Sequence, residues 1–176
     1  LLAVATVAAL RLFAPSGPAA PDFTLTDQSG RPYTLSAQRG HTIALFFGYT
    51  HCPDECPATL ASLATAKRRL GAAAAAFEAV MVTADPGRDT PAVLGRYMRS
   101  FDPAFVGLTG SGAQLASVYA AYHVYVRIPP HRPAVDYDVE HSTAVQFIAP
   151  DGRLRGIGDW TDSPDQLAVL MKQARS

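Results

Sequence analysis

The chain has 176 residues, 48% of them hydrophobic and 17% charged, with 15 basic and 15 acidic side chains and a formal net charge of +0. That length supports one domain with a substantial core, and that balance excludes an intrinsically disordered chain. No basic field exists to hold nucleic acid, so that class of partner is set aside.

Residues 1–13, LLAVATVAALRLF, are apolar apart from Thr6 and Arg11. A bilayer span takes about 20 residues, which this run does not reach by itself; it is expected to be the remnant of an N-terminal membrane anchor or signal segment, with an apolar segment packed on the domain as its alternative. Residues 14–21, APSGPAAP, read as a linker, which leaves 22–176 as the folded domain. Anchor, linker and domain in that order imply a domain held at a membrane surface outside the cytoplasm.

Phe23 to Thr26 alternates, and Asp27-Gln28-Ser29-Gly30 supplies a turn before Tyr33-Thr34-Leu35, which predicts a short hairpin. Ile43 to Tyr49 is a nearly continuous apolar run, the pattern of a strand buried on both faces. Pro57 is suited to open a helix, with Leu60, Leu63 and Leu70 on its inner face and Ala72 to Ala76 as an extension of it. Phe77 to Thr83 reads as a second buried strand. Thr90-Pro91 starts a helix with Val93, Leu94, Tyr97, Met98 and Phe101 as its apolar stripe. Phe105 to Leu108 is a short strand, and Ser111 caps a helix running to Tyr122. A strand begins at Val124, and residues 129–138 form a long loop. Thr143 to Ala149 and Leu154 to Ile157 flank the turn Pro150-Asp151-Gly152, and Ser163-Pro164-Asp165 opens the last helix. This order predicts an α/β fold, a mixed central sheet flanked by helices on both faces.

The two cysteines, Cys52 and Cys56, are too few for a disulfide-stapled fold, which points to a chemical role. They lie where a buried strand meets a helix. Cys52 stands at or just before the helix start, where exposed N–H groups and the dipole favour a thiolate. A spacing of four brings both sulfurs onto one face of a helical turn. Two such thiolates suit a soft cation such as Cu(I), and the same pair could instead form a disulfide or be two inert buried thiols. His141, at the mouth of the strand from Thr143, is the best candidate for a third ligand, with a surface or packing role as its alternative. His51 adjoins Cys52 and is expected to point away while tuning the site electrostatically. His41, His123 and His131 have no motif around them. Asp85 follows the second buried strand, at the sheet edge where sites gather, and is expected to orient His141 or to receive a positively charged partner, with a turn or helix cap as its alternative. Asp89 suits a helix cap.

Phe-Phe-Gly-Tyr-Thr-His-Cys-Pro-Asp-Glu-Cys-Pro at 46–57, Asp-Pro-Gly-Arg-Asp-Thr-Pro at 85–91 and Asp-Val-Glu-His-Ser at 138–142 together resemble the Sco/SenC family. The resemblance implies a thioredoxin-like domain, anchored by an N-terminal helix and facing the periplasm or the mitochondrial intermembrane space, that helps build the binuclear copper centre of cytochrome c oxidase; the bacterial inner membrane and periplasm are the location expected here. By that similarity Cys52, Cys56 and His141 match the metal ligands for Cu(I) or Cu(II), and Asp85 matches an acidic residue near them. Glu140 departs from the Asp that commonly precedes the family's histidine, with charge kept. The partners so implied are the copper-site subunit of the oxidase, other copper chaperones, and the membrane through the N-terminus.

Two functions compete. The first is a copper metallochaperone, with no catalytic residue. The second is a thiol-disulfide oxidoreductase in which Cys52 and Cys56 are the redox pair and a cuproprotein is the target. The Cys-x3-Cys spacing, and the absence of proline from residues 139–146 near His141, favour metal over general disulfide exchange. A peroxidase and a structural zinc site, which usually needs four protein ligands, fit less well.

Overall fold

The computed structural model describes residues 17–130 and 137–175. Residues 1–16 and His131 lie outside them, so the segment expected to be an anchor and the middle of the 129–138 loop are not described. β1 (Thr24–Asp27) and β2 (Pro32–Thr34) form the hairpin expected from the turn between them, with Leu25 opposite Tyr33. β3 (Thr42–Gly48) is buried along its whole length and pairs in parallel with β4 (Phe77–Thr83), Leu45 opposite Val80. β5 (Val106–Thr109) continues the sheet beyond β4 and joins it to β1. β6 (Val126–Arg127) and β7 (Glu140–His141) form a separate two-stranded sheet. β8 (Val145–Ile148) runs antiparallel to β3, and β9 (Leu154–Gly158) closes that edge. The main sheet therefore has seven strands in the order β2-β1-β5-β4-β3-β8-β9.

Alternation along the central strands divides the core in two. Ala44, Phe46, Ala79, Met81 and Phe147 face α1 (Glu55–Arg69), α2 (Pro91–Arg99) and α4 (Pro164–Arg175). Ile43, Leu45, Phe47, Val80 and Val82 face α3 (Gly112–Ala121) and the β1–β2 hairpin. Helices thus cover both faces, as alternating strand and helix patterns require.

Caps fix the helix entries. Thr90 Oγ1 accepts from Val93 N–H at the start of α2. Ser111 and Gln114 make a reciprocal capping box at the start of α3. Two helix expectations are corrected. α1 begins at Glu55, two residues before Pro57. A proline inside the first turn is tolerated because the first four N–H groups have no helical partner. The alanine run does not extend α1. Gly71 at φ 58 ends the helix in the left-handed conformation, and Gly71–Ala76 continues as a 3-10 segment.

The described end of the 14–21 segment lies along the β8–β9 turn, with Ala20 N–H donating to the Gly152 carbonyl and Leu154 N–H to the Pro18 carbonyl. Among the described residues no helix is long and apolar enough to cross a membrane.

Candidate metal centre

β3 ends at Gly48, and the chain turns through Tyr49–Asp54 into α1, so the cysteine loop sits at the carboxyl edge of the parallel strands. Cys56 falls in the first turn of α1 and is buried, while Cys52 precedes the helix and is half-buried. Cys56 N–H donates to Cys52 Sγ at 3.4 Å, a bond that holds the two sulfurs on one side of the turn. His141 comes from β7, paired with β6 through Val126, and not from the mouth of β8 as the sequence suggested. Its Nε2 lies 3.6 Å from Cys56 Sγ. One ligand atom from each of Cys52, Cys56 and His141 falls within 4.8 Å of the others.

The imidazole is oriented from two sides. Nδ1 is 2.9 Å from the Ser142 carbonyl oxygen. A carbonyl only accepts, so Nδ1 carries hydrogen and, in the neutral ring, Nε2 presents its lone pair to the sulfurs. Tyr49 meets the ring edge to face, centroids 5.6 Å apart, and its hydroxyl donates to Asp138 Oδ1 at 3.5 Å.

Electrostatics divide the thiols. The Cys56 thiol hydrogen-bonds to Cys52 and holds its pKa far below the usual range; burial opposes this, while His141 and the N–H groups of Cys56 and Asp54 add to it. Cys56 is raised by that same bond and by burial, so the pair carries its first negative charge on Cys52. Burial pulls the His141 pKa down, but its hydrogen bonds with the Cys52 thiolate and Ser142 outweigh that and raise it. A cleft of about 230 Å³ opens over Cys52 and His141, with Asp54, Glu55 and Asp138 in its wall. Two sulfurs, one imidazole and three nearby carboxylates make a site suited to a soft cation, and the donors fit copper.

The remaining candidates fall elsewhere. Asp85, 1% exposed, makes no hydrogen bond with His141 among the described residues. It pairs with Arg88 of its own loop and accepts from Tyr137 Oη at 2.8 and 3.0 Å. Arg88 in turn lies over the Tyr137 ring, 3.5 Å from its centroid, and donates to the Tyr137 carbonyl. The positive charge that Asp85 receives is thus internal, and the cluster ties the 85–91 loop to the segment leading to His141. His51 is exposed and sits 3.1 Å from Thr50 Oγ1 through Nδ1, outside the Cys52–Cys56–His141 group.

Asp89 is a site residue whose part the sequence did not reveal. Thr90 caps α2, and Asp89, fully buried, accepts from Thr50 N–H at 3.2 Å and from Thr50 and Thr83 Oγ1 at 2.6 Å each. It fastens the residues before Cys52 to the end of β4. The available signal was a second aspartate in a loop that follows a buried strand.

Residues 14–175 match the SCO1/SenC family, and the chain belongs to that family. Its fold is the thioredoxin-like fold of the Sco structures. The mitochondrial SCO2 homolog of Mus musculus is 40% identical over 154 residues, 86% of this chain and 60% of that protein. The Bradyrhizobium japonicum ScoI structure with copper bound superposes with a TM-score of 0.80 at 35% identity, covering 90% of this chain and 100% of that one. Yeast Sco1 with copper bound gives 0.79 at 29% identity, with 86% of each chain covered. The chain spans 50–60% of the length of the mammalian SCO2 homologs it matches.

Proposed function

We propose that the protein is a copper metallochaperone that takes up one copper ion through Cys52, Cys56 and His141 and assists assembly of the binuclear copper centre of cytochrome c oxidase. The observation that carries the reading is the convergence of those three ligand atoms within 4.8 Å. Family membership and the copper-bound relatives support it. Cys52 and His141 face the cleft and provide the route by which copper enters and leaves, while buried Cys56 holds the ion from below. The domain works outside the cytoplasm, tethered through the segment before residue 17, with the oxidase's copper-site subunit and other copper chaperones as partners. Anaerobic titration of the reduced protein tests this: one copper per chain is expected, with transfer to the apo copper-site subunit.

The second reading, reduction of a cuproprotein's disulfide, is favoured by the half-buried low-pKa thiolate of Cys52 above a buried Cys56 thiol. Cys52 would attack one target sulfur and release the other as thiolate. Cys56, losing its proton, would then close a Cys52–Cys56 disulfide and free the second target thiol, passing two electrons to the target. Turnover of a target disulfide by copper-free protein, without copper transfer, would select this reading.

A further inference from the structure

The 85–91 loop reaches both limbs of the site through neighbouring residues. Asp89 holds Thr50, just ahead of Cys52. Arg88 reaches the limb that carries His141. Its side chain is 10% exposed. The guanidinium pairs with Asp85, donates to the Tyr137 carbonyl at 2.8 Å and lies over the Tyr137 ring. It also stands over the ring of Tyr49, 5.7 Å from its centroid and within cation–π range. Tyr49 is the buried ring that meets the His141 imidazole edge to face.

An ion pair for Asp85 alone would need none of these aromatic contacts, and a lysine could supply it. A flat, forked guanidinium can stack on a ring while its N–H groups reach a carboxylate and a carbonyl together. The His141 limb has use for such a hold. β7 is two residues long and pairs with a β6 of the same length, and a two-stranded ribbon is marginal by itself. Tyr49, Val139 and Cys56 pack in one small apolar cluster, with Cys52 and Tyr137 against it. Arg88 therefore grips the His141 limb at Tyr137 and backs the ring on which the imidazole rests.

We infer that Arg88 is a positioning residue of the metal centre: by clamping Tyr137 and backing Tyr49 it fixes His141 Nε2 against the two sulfurs. The inference rests on the copper site proposed above. Arg88 then matters only as far as the imidazole does. Cu(I), held adequately by two thiolates, is little affected, whereas Cu(II), which favours nitrogen, depends on it.

Arg88→Lys keeps a cation for Asp85 and removes the fork and the stacked plane. Its Cu(II) affinity should fall about tenfold, the scale of a lost ligand support, with Cu(I) affinity changed by less than about twofold. In the metal-free protein the His141 imidazole NMR resonances should shift, with those of His41, beside the start of β3, unmoved. In the His141→Ala background Arg88→Lys should change neither affinity by more than about twofold, because the coupling runs through the imidazole. Unchanged Cu(II) affinity, unmoved His141 resonances, equal losses of Cu(I) and Cu(II), or the same loss in the His141→Ala background would each overturn the inference and leave the copper site standing. Parent-like Cu(II) binding by His141→Ala alone would overturn the copper site and the inference with it. Tyr137→Leu removes the stacked ring and should give the same split between the two oxidation states, so the question is decided even if Arg88→Lys does not fold.

Discussion

Gly48 and Cys56 are packed so closely that a Cβ on Gly48 would stand 2.8 Å from Cys56 Sγ. The same Cβ would meet Phe46 at 3.2 Å and Met81 Sδ at 3.4 Å, so the sulfur has little room to retreat. The absence of a side chain at the end of β3 therefore makes room for the proposed Cys52–Cys56–His141 site. Gly48→Ala is expected to cost about 1–3 kcal/mol of stability from overpacking. It should also lower copper affinity by about tenfold or more, the scale seen when the support of a ligand is disturbed. Chemical denaturation and competitive Cu(I) titration check the two effects separately.

Asp89 makes a distinct prediction. Asp89→Ala removes the acceptor for Thr50 N–H and for two threonine hydroxyls. The loss should be about 1–3 kcal/mol or more, since buried donors are left unpaired. Asp89→Asn keeps one acceptor oxygen and should recover part of it. Equal stability of parent and Asp89→Ala in urea would remove Asp89 from its role in fastening the cysteine loop.

Glu78 gives the fold a pH dependence unrelated to copper. Burial on β4 pushes its pKa from 4.5 to about 7, against a smaller opposing pull from Lys67. An acid with a raised folded-state pKa binds more protons folded than unfolded. Its contribution to stability is therefore lost as pH rises from about 4.5 to about 7, and changes little beyond. Glu78→Gln should remove that loss, so the variant gains on the parent between pH 5 and pH 8. Urea midpoints at those two pH values measure the difference.

The frame of the molecule was legible where the signal is local. Phe77–Thr83 is the strand that its apolar run marks, and Ser111 with Gln114 gives the entry to α3. The cysteine loop was legible for the same reason, as strand, Cys-x3-Cys and helix lie within one short stretch. What escaped depends on contacts between distant residues. β7 is two residues long and exists through its pairing with β6, so nothing around His141 announces a strand. Asp85 lies near the site in sequence logic, yet Arg88 and Tyr137 take up its oxygens. Only the fold shows Thr50 and Thr83 converging on Asp89.

Oxidation should gate the metal. Both cysteines are reduced, and thiolates bind metal where disulfide sulfurs do so poorly. The reduced protein is expected to retain one copper per chain through gel filtration, and the Cys52–Cys56 disulfide form essentially none. Equal retention by the two forms, with the disulfide verified by mass spectrometry, would contradict the cysteine-based site.

The central claim, that His141 completes the site of Cys52 and Cys56, is tested most directly by titrating His141→Ala with Cu(II) and with Cu(I) under identical conditions. Cu(I) is soft and is held adequately by two thiolates, whereas Cu(II) favours nitrogen in its coordination. The imidazole Nε2 stands 3.6 Å from Cys56 Sγ, so its loss removes the nitrogen donor of the group. The variant is predicted to keep measurable Cu(I) binding and to lose the thiolate-to-Cu(II) absorption band or most of its Cu(II) affinity; Cys52→Ser and Cys56→Ser should each lose both. Cu(II) binding by His141→Ala with the parent's spectrum and affinity would contradict the account.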